Sequence, residues 1–418
     1  MVVISAWKRS RAGIGRAGLA IADQALSSLT NFVVGIYVAR SLGVGEFGAF
    51  SLAFATYVIA LNASRGLATD PLVVRYSGVD VHDWRLAVAG STGVAAAVGL
   101  AVGACCVVVG AILAGSIGAA FLALGITLPG LLVQDSWRYA FFSAQRGAQA
   151  VANDLVWAAA LVPLLTIVGN AEPPRVELFV LAWGGAATLA AVVGAAQARL
   201  VPRLTGVIGW VVRHGDLGVR YLGENLSLGA AFQLRLYGLG LIAGVAAVGA
   251  LRAAELLLGP VGVVVMGVGL MAVPEASRLL RQSLRRLRPF CLLVGGLQAG
   301  IAIVWGLAVL LLLPDWLGRR LLGASWVLAF ELLLPVTLTM AGTGLWVGAL
   351  TGLRALGAAS RSLRAQLISS ALFLAGAFGG AAVAGAVGAA WGSAAATLVA
   401  VVIWWRQLNQ GLHEFRSS

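Results

Sequence analysis

Long apolar stretches alternate with short polar segments along the whole chain. The stretch from Leu86 to Gln134 has 49 residues without a charged side chain, and the stretch from Ala365 to Trp405 has 41. At about 1.5 Å per residue, a helix of either length far exceeds the roughly 30 Å of a hydrocarbon core. Each stretch is therefore predicted to cross a membrane twice, with turns at Gly115-Ser116 and near Gly385–Gly388.

The same pattern predicts an all-α polytopic membrane protein. Applied along the chain, it gives twelve transmembrane helices, each long enough to span a bilayer. The predicted crossings are 17–39, 44–69, 87–112, 116–136, 152–169, 176–198, 221–247, 253–273, 290–313, 325–350, 365–384 and 387–405.

Composition agrees with this class. Of the 418 residues, 60% are hydrophobic and 11% are charged, where a soluble domain carries about 25% charged residues. The 55 glycines are expected to let neighbouring helices approach each other closely.

The arginines predict the orientation of the chain. With the amino terminus inside, 23 of the 29 basic residues fall in cytoplasmic segments, 5 fall in outer segments, and Arg235 is left inside a helix. This asymmetry places both termini in the cytoplasm of a multi-pass protein of the cytoplasmic (plasma) membrane. The net charge of +13 is then explained by orientation and by membrane lipids as partners rather than by nucleic acid.

Several kinds of chemistry are excluded. Lys8 is the only lysine, so a phosphate-binding loop of the G-x-x-x-x-G-K-[ST] type is absent. The three histidines and three cysteines have no metal-ligand spacing, which predicts neither a metal nor a cofactor. No loop is large enough to fold as a catalytic domain, so we expect a protein that is not an enzyme.

The chain is predicted to consist of two similar halves. Residues 1–200 form an N-terminal lobe with helices 1–6, 201–220 a cytoplasmic linker, and 221–418 a C-terminal lobe with helices 7–12. An ordered set of residues recurs at offsets of 201 to 208, including Gly66, Pro71 and Arg75 against Gly269, Pro274 and Arg278. Six crossings per half make this a parallel repeat, which predicts a central cleft and alternating access.

Arg235 is the most informative candidate binding residue. It lies ten residues beyond Asn225, about 15 Å along the helix axis, which places it near the membrane midplane. An arginine there is expected to face a wet cavity or an ionic partner, and its guanidinium suits a phosphate or carboxylate. The alternative is a structural ion pair. Gln24 and Asn31 on helix one are expected to join Arg235 and the neighbouring Gln233 across the cleft, or else to bond neighbouring helices.

Charged residues near helix ends form a second group of candidates. Arg65 either snorkels to the interface or attracts an anionic head group. Asp23, Glu224 and Asp70 are candidates for ion coupling, with solvated helix ends as the alternative. The neighbours Asp135 and Arg138 are expected to pair locally.

The first two helices resemble a known family. Segment 23–31 and the turn 38–52 are similar to the opening of Wzx-type polysaccharide flippases, whose turn reads A-R-x-L-G-x-x-E-F-G-x-[YF]-S. Here Ala39-Arg40, Leu42-Gly43, Glu46-Phe47-Gly48 and Phe50-Ser51 fill that pattern. Residues 134–138 and 153–154 resemble the segment from the fourth to the fifth helix of the same family.

The resemblance implies a fold and an activity. The fold is that of multidrug/oligosaccharidyl-lipid/polysaccharide (MOP) exporters, as in the MATE transporters, with two six-helix lobes. The activity is movement of a polyprenyl-diphosphate-linked oligosaccharide to the outer leaflet, with Arg235 meeting the pyrophosphate. Two other functions stay open: a cation-coupled exporter of drugs or metabolites, and a scaffold that recruits cell-wall biosynthesis proteins.

Reporter fusions test the predicted orientation. Green fluorescent protein fused after Ser418 should fluoresce and alkaline phosphatase at the same position should be inactive, because the carboxyl terminus is predicted to be cytoplasmic. Truncated fusions after Gly115 should give the reverse result. An active phosphatase after Ser418 would contradict the orientation.

Overall fold

The protein is helical throughout the part that the structure describes. The structure is a computed structural model, and it describes residues 28–417, all in helices and short connections without a β-strand. Within these residues, eight helical segments are long and apolar enough to cross a membrane, or nine if one bent pair counts as a single span. The chain is therefore a multi-pass membrane protein, while the number of twelve crossings stays a prediction.

Two compact units make up the described residues. Unit 1 contains 28–42 and 49–233, and unit 2 contains 43–48 and 234–417. The lobe boundaries proposed from the sequence stay a prediction.

Within the described residues, unit 1 is built from six complete helices and parts of two others, of which one lacks its residues 44–48 and the other ends in this unit at residue 233. They are α1 (28–41), α2 (Val44–Ser64), α3 (Asp70–Tyr76), α4 (Val81–Ile112), α5 (Gly115–Ser143), α6 (Gly147–Gly169), α7 (Val176–Ala198) and the first part of α8 (Val207–Ala243). A π-helical turn, Arg65–Thr69, joins α2 to α3. The core contains Trp84, Trp137 and Phe141, all largely shielded from solvent.

Unit 2 continues along α8 and contains six further helices. They are α9 (Val245–Leu257), α10 (Gly259–Gln282), α11 (Leu284–Leu312), α12 (Asp315–Leu322), α13 (Trp326–Ala355) and α14 (Ala359–Ser417). Between α9 and α10 the axis bends by 56°. The core of this unit gathers Leu287, Cys291, Leu353, Trp404 and Leu408.

Both predicted turns in the uncharged stretches are confirmed. Helix α4 ends at Ile112 and α5 begins at Gly115, whose φ of +72° a residue with a β-carbon rarely adopts. Inside α14 the helix is interrupted at Ala384 and Gly385. Glycine at these positions lets the chain reverse direction within a stretch that has no charged residues.

The segment predicted as a linker is mostly helical. A short 3-10 turn, Leu204–Gly206, leads directly into α8. Gly215 and Gly218 lie inside this helix without interrupting it. A β-carbon at Gly215 would meet nothing within 4 Å, and one at Gly218 would make an ordinary contact, 3.7 Å from the carbonyl oxygen of Gly66.

The start of α8 is held by an aromatic cluster. Trp210 and Tyr76 are stacked 5.9 Å apart, and the Tyr76 hydroxyl lies 3.1 Å from Nε2 of His214. Nδ1 of His214 donates to the carbonyl oxygen of Trp210 at 2.9 Å. Burial lowers the pKa of His214 below its ordinary value, so the ring is neutral at pH 7 and Nε2 accepts the Tyr76 hydrogen bond.

Glycine pairs bring antiparallel helices into backbone contact. A β-carbon on Gly103 of α4 would lie 2.6 Å from the carbonyl oxygen of Gly125 on α5, and the reverse distance is the same. In the two arms of α14, a β-carbon on Gly380 would collide with the carbonyl group of Gly388. This confirms that glycine permits close helix approach, as the composition predicted.

Alanine substitutions at two adjacent glycines test this packing. Gly380→Ala should lower the free energy of unfolding by about 1–3 kcal/mol, because the arms of α14 must separate to admit the methyl group. Gly379→Ala is the control: nothing lies within 4 Å of its β-carbon position, and alanine favours a helix by up to about 1 kcal/mol. The measurement is thermal unfolding of the purified protein in detergent. Equal melting temperatures for the two variants would contradict the packing argument.

Candidate functional site

A cluster of charged side chains lies inside unit 1. Arg65 bonds Asp135 of α5 through two hydrogen bonds, Nε to Oδ2 at 3.0 Å and Nη2 to Oδ1 at 2.7 Å. The Asp135 side chain is 7% exposed and that of Arg65 is 27% exposed. The Arg65 guanidinium also lies 5.3 Å from the ring centre of Tyr139. The sequence predicted that Arg65 either snorkels to the interface or attracts an anionic head group; in the structure it is bonded to a carboxylate inside the unit, and its role toward a head group stays a prediction.

The π-helical turn positions Arg65. In this turn the Asp70 amide donates to the Arg65 carbonyl, an i→i+5 bond that often marks a functional site. Pro71 has no N–H to donate to the preceding turn. The carbonyl of Leu67 accepts a hydrogen bond from Nε1 of Trp210 at 3.1 Å, and that of Ala68 accepts one from Ser91 at 3.0 Å. Side chains from other helices thus satisfy the carbonyls of the turn.

A second ion pair extends the cluster. Asp154 of α6 accepts a hydrogen bond from Gln134 at 2.9 Å and lies 3.7 Å from Nε of Arg138. The expected local pair between Asp135 and Arg138 is therefore wrong. Each side chain pairs with a neighbouring helix, because the bidentate Arg65 and the buried Asp154 offer better-matched partners than a neighbour on the same helix.

Asp70 accepts a hydrogen bond from α8. The amide of Asn225 donates to its Oδ2 at 2.9 Å, and both residues are half-buried. Asp70 therefore takes part in the contact between α3 and α8, and its role in ion coupling stays a prediction.

A separate charged cluster lies inside unit 2. Arg235 is 3% exposed and forms an ion pair with Glu255 of α9, which also bonds Arg252 at 2.9 Å. The Arg235 guanidinium lies 5.2 Å from the ring centre of Phe373. Gly244, with a φ of +85°, forms the turn between α8 and α9 that brings Arg235 to Glu255. Arg235 therefore has Glu255 as an ionic partner, which is the alternative that the sequence left open. Its role in binding an anionic ligand stays a prediction.

No contact that the structure gives joins the remaining predicted candidates to these clusters. Asn31 is a half-buried residue of unit 1, and Gln233 is a half-buried residue at the last position of that unit. Gln24 and Asp23 lie outside the described residues, as does the side chain of Glu224. The predicted meeting of Arg235 with Gln24 and Asn31 therefore stays a prediction.

Sequence reasoning missed two acids, Asp154 and Glu255. Both fall inside predicted crossings, 152–169 and 253–273, and an ionisable residue inside a membrane helix is itself a signal of a charged partner. Counting acids against the arginines Arg65, Arg138 and Arg235 would have indicated that the predicted crossings hold paired charges. Within residues 28–417, no group of three or more histidine, cysteine, aspartate or glutamate side chains is arranged to bind a metal.

Solved structures of membrane transporters share this fold. An inward-facing multidrug resistance MATE transporter of the MOP superfamily aligns with a TM-score of 0.69 and 14% identity, over 94% of this chain and 96% of that one. The lipid II flippase MurJ, in an inward closed conformation, aligns with a TM-score of 0.71 and 10% identity, over 95% of this chain and 87% of that one.

A third transporter widens the comparison. A MOP superfamily transporter from Pyrococcus furiosus, described as having a binding pocket of reverse polarity, aligns with a TM-score of 0.58 and 13% identity, over 97% of this chain and 96% of that one. No family model and no curated protein matches the sequence. These likenesses show a fold of the MATE and MurJ type, and the proteins that share it are transporters and flippases rather than enzymes.

A double-mutant cycle tests the unit 1 cluster. Arg65→Gln or Asp135→Asn alone should destabilise the protein by about 3–5 kcal/mol, because each leaves an unpaired charge inside the unit. The double variant should lose less than the sum, with a coupling energy of about 1–3 kcal/mol. Chemical denaturation in detergent measures the four stabilities.

The pair Arg175–Glu177, in which only the arginine is exposed, supplies the comparison cycle. Its arginine is 63% exposed, so Arg175→Gln and Glu177→Gln should couple by less than about 1 kcal/mol. Equal coupling energies in the two cycles would contradict a structural role specific to the buried pair.

Proposed function

We propose that the protein is a flippase that moves a polyprenyl-diphosphate-linked oligosaccharide, a precursor of cell-wall or surface polysaccharide, to the outer leaflet by alternating access. It acts in the plasma membrane and breaks no covalent bond. The likeness of nearly the whole chain to transporters that include a lipid II flippase supports this proposal. The resemblance of segments 23–31 and 38–52 to Wzx-type flippases supports the oligosaccharide substrate.

The observation that carries the proposal is the charge of the unit 2 cluster. Arg235 and Arg252 both pair with Glu255, so two guanidinium groups and one carboxylate lie together in unit 2. Positive charge is costly in hydrocarbon, and at such sites it commonly serves a ligand pathway. A guanidinium presents planar paired donors to a phosphate, so a diphosphate head group suits this cluster.

The proposed substrate path includes the residues predicted from the sequence. Arg235 meets the diphosphate, and Asn31, Gln24, Gln233 and Arg65 offer polar groups to the head group. The polyprenyl tail stays in the lipid throughout, because about 0.8 kcal/mol would be needed to bring each CH₂ into water.

A cation-coupled exporter is the second candidate function. The MATE likeness favours it, and Asp23, Glu224 and Asp70 would be the coupling acids. The acids within the described clusters favour the flippase, because Asp135, Asp154 and Glu255 face arginines. An acid that is already paired with an arginine would have to break that ion pair before it could bind a coupling ion.

Measuring lipid-linked precursor in cells depleted of the protein tests the flippase. We expect precursor to accumulate on the cytoplasmic leaflet, and wild-type protein to restore its normal distribution. Arg320→Gln, which changes an exposed arginine of α12, should rescue as well as wild type. A normal precursor distribution together with a rise in cell-associated drug would move the assignment to the exporter.

One further variant separates substrate binding from packing at Arg235. Arg235→Gln removes one guanidinium while Glu255 keeps its ion pair with Arg252, so no carboxylate is left unpaired and the protein should fold and reach the membrane. If Arg235 binds the diphosphate, this variant should still fail to rescue. Rescue by Arg235→Gln would show that Arg235 acts only as a partner of Glu255.

A further inference from the structure

A basic cavity lies at one end of unit 1, and none of its lining residues belongs to the charged clusters described above. It has a volume of about 710 Å³ and lies where α4 begins and α7 ends. All the charged side chains that line it in the described structure are basic: Arg85, Arg199 and Arg203, beside His82. A concave surface with this charge attracts an anion.

The wall of the cavity is fixed by backbone hydrogen bonds. Arg85 donates to the carbonyl oxygen of Arg199 at 2.8 Å, and the amide of Arg203 donates to the carbonyl oxygen of Ala89 at 2.9 Å. Gly93 permits this approach, because a β-carbon there would collide with the carbonyl of Arg203. The segment 199–203 is therefore held against α4 at both ends, and the cavity is preformed.

Exposed aliphatic side chains line the cavity and recur on the helix that follows it in the chain. Leu86 and Val201 line the cavity and are exposed, Val201 by 75%. Ile208 and Val212 follow on α8 at 80% and 78% exposure; they are four residues apart, so they lie on the same helix face. Exposed aliphatic side chains beside a basic cavity are typical of a surface in contact with lipid head groups and the upper acyl chains.

We propose that this cavity binds the phosphate of an anionic glycerophospholipid. The arginines bind the phosphodiester, and the acyl chains lie along Leu86, Val201 and the apolar face of α8. The site is separate from the transport path proposed above, and it would bind lipid even if the transported substrate were different. Free phosphate shares the anionic chemistry, but it has no acyl chains to contact the exposed aliphatic side chains.

Lipid binding to the purified full-length protein tests this site. Native mass spectrometry in detergent compares phosphatidylglycerol with phosphatidylcholine of the same acyl chains. Wild-type protein should prefer phosphatidylglycerol. Arg199→Gln with Arg203→Gln should weaken that binding by roughly fivefold for each arginine removed, since a basic residue near a lipid surface contributes about 1 kcal/mol.

The control removes the same number of charges elsewhere. Arg319→Gln with Arg320→Gln changes two exposed arginines of α12 and should leave the preference for phosphatidylglycerol unchanged. Arg203→Gln alone keeps the backbone hydrogen bond to Ala89, so it should fold as wild type and still lose affinity. Thermal unfolding confirms that each variant is folded.

Three results would overturn the proposal. The first is undiminished binding of phosphatidylglycerol by the Arg199/Arg203 double variant. The second is an equal loss in the α12 control, which would indicate a general effect of net charge. The third is displacement of phosphatidylglycerol by millimolar inorganic phosphate, which would assign the cavity to a free anion.

Discussion

The pairing of charges inside the membrane domain constrains the rest of this structure. An isolated arginine or carboxylate in hydrocarbon is costly, so each one requires a partner close by. Arg65 with Asp135, Arg138 with Asp154, and Arg235 with Glu255 each join two segments that are separate in the chain. Apolar contacts alone do not determine the axial position of one helix along its neighbour. These ion pairs help to determine it, because each one joins a fixed residue on one segment to a fixed residue on another.

Close backbone packing provides the second constraint. Lipid removes most of the hydrophobic drive for helices to associate, so van der Waals contact must supply it. In the pairs Gly103–Gly125 and Gly380–Gly388, the carbonyl oxygen of one glycine lies too close to the other for a β-carbon to fit there. The high glycine content of the sequence therefore has a structural role at these crossings, although the same residues in water-soluble helices would weaken them.

The sequence predicts the helices better than it predicts their contacts. Long uncharged stretches and the glycines at 115 and 385 locate turns, because the thickness of the hydrocarbon core sets the length of a span. The partner of Arg65 lies 70 residues away, so hydropathy carries no information about it. The helical start of α8 inside the proposed linker was not predicted, because glycine content looks the same whether the chain turns there or, as at Gly215 and Gly218, stays helical.

The π-helical turn changes the direction in which the side chains of α3 point relative to those of α2. On an uninterrupted α-helix, Arg65 and Asp70 would point about 140° apart, but the Asp70 amide bonds the Arg65 carbonyl one full π-turn below it. The turn thus behaves as a one-residue insertion inside a continuous span. An alignment that counts residues through this span without a gap would assign every later position of α3 to the wrong face. Distant relatives of this chain are therefore best aligned with a one-residue offset allowed at Arg65–Thr69.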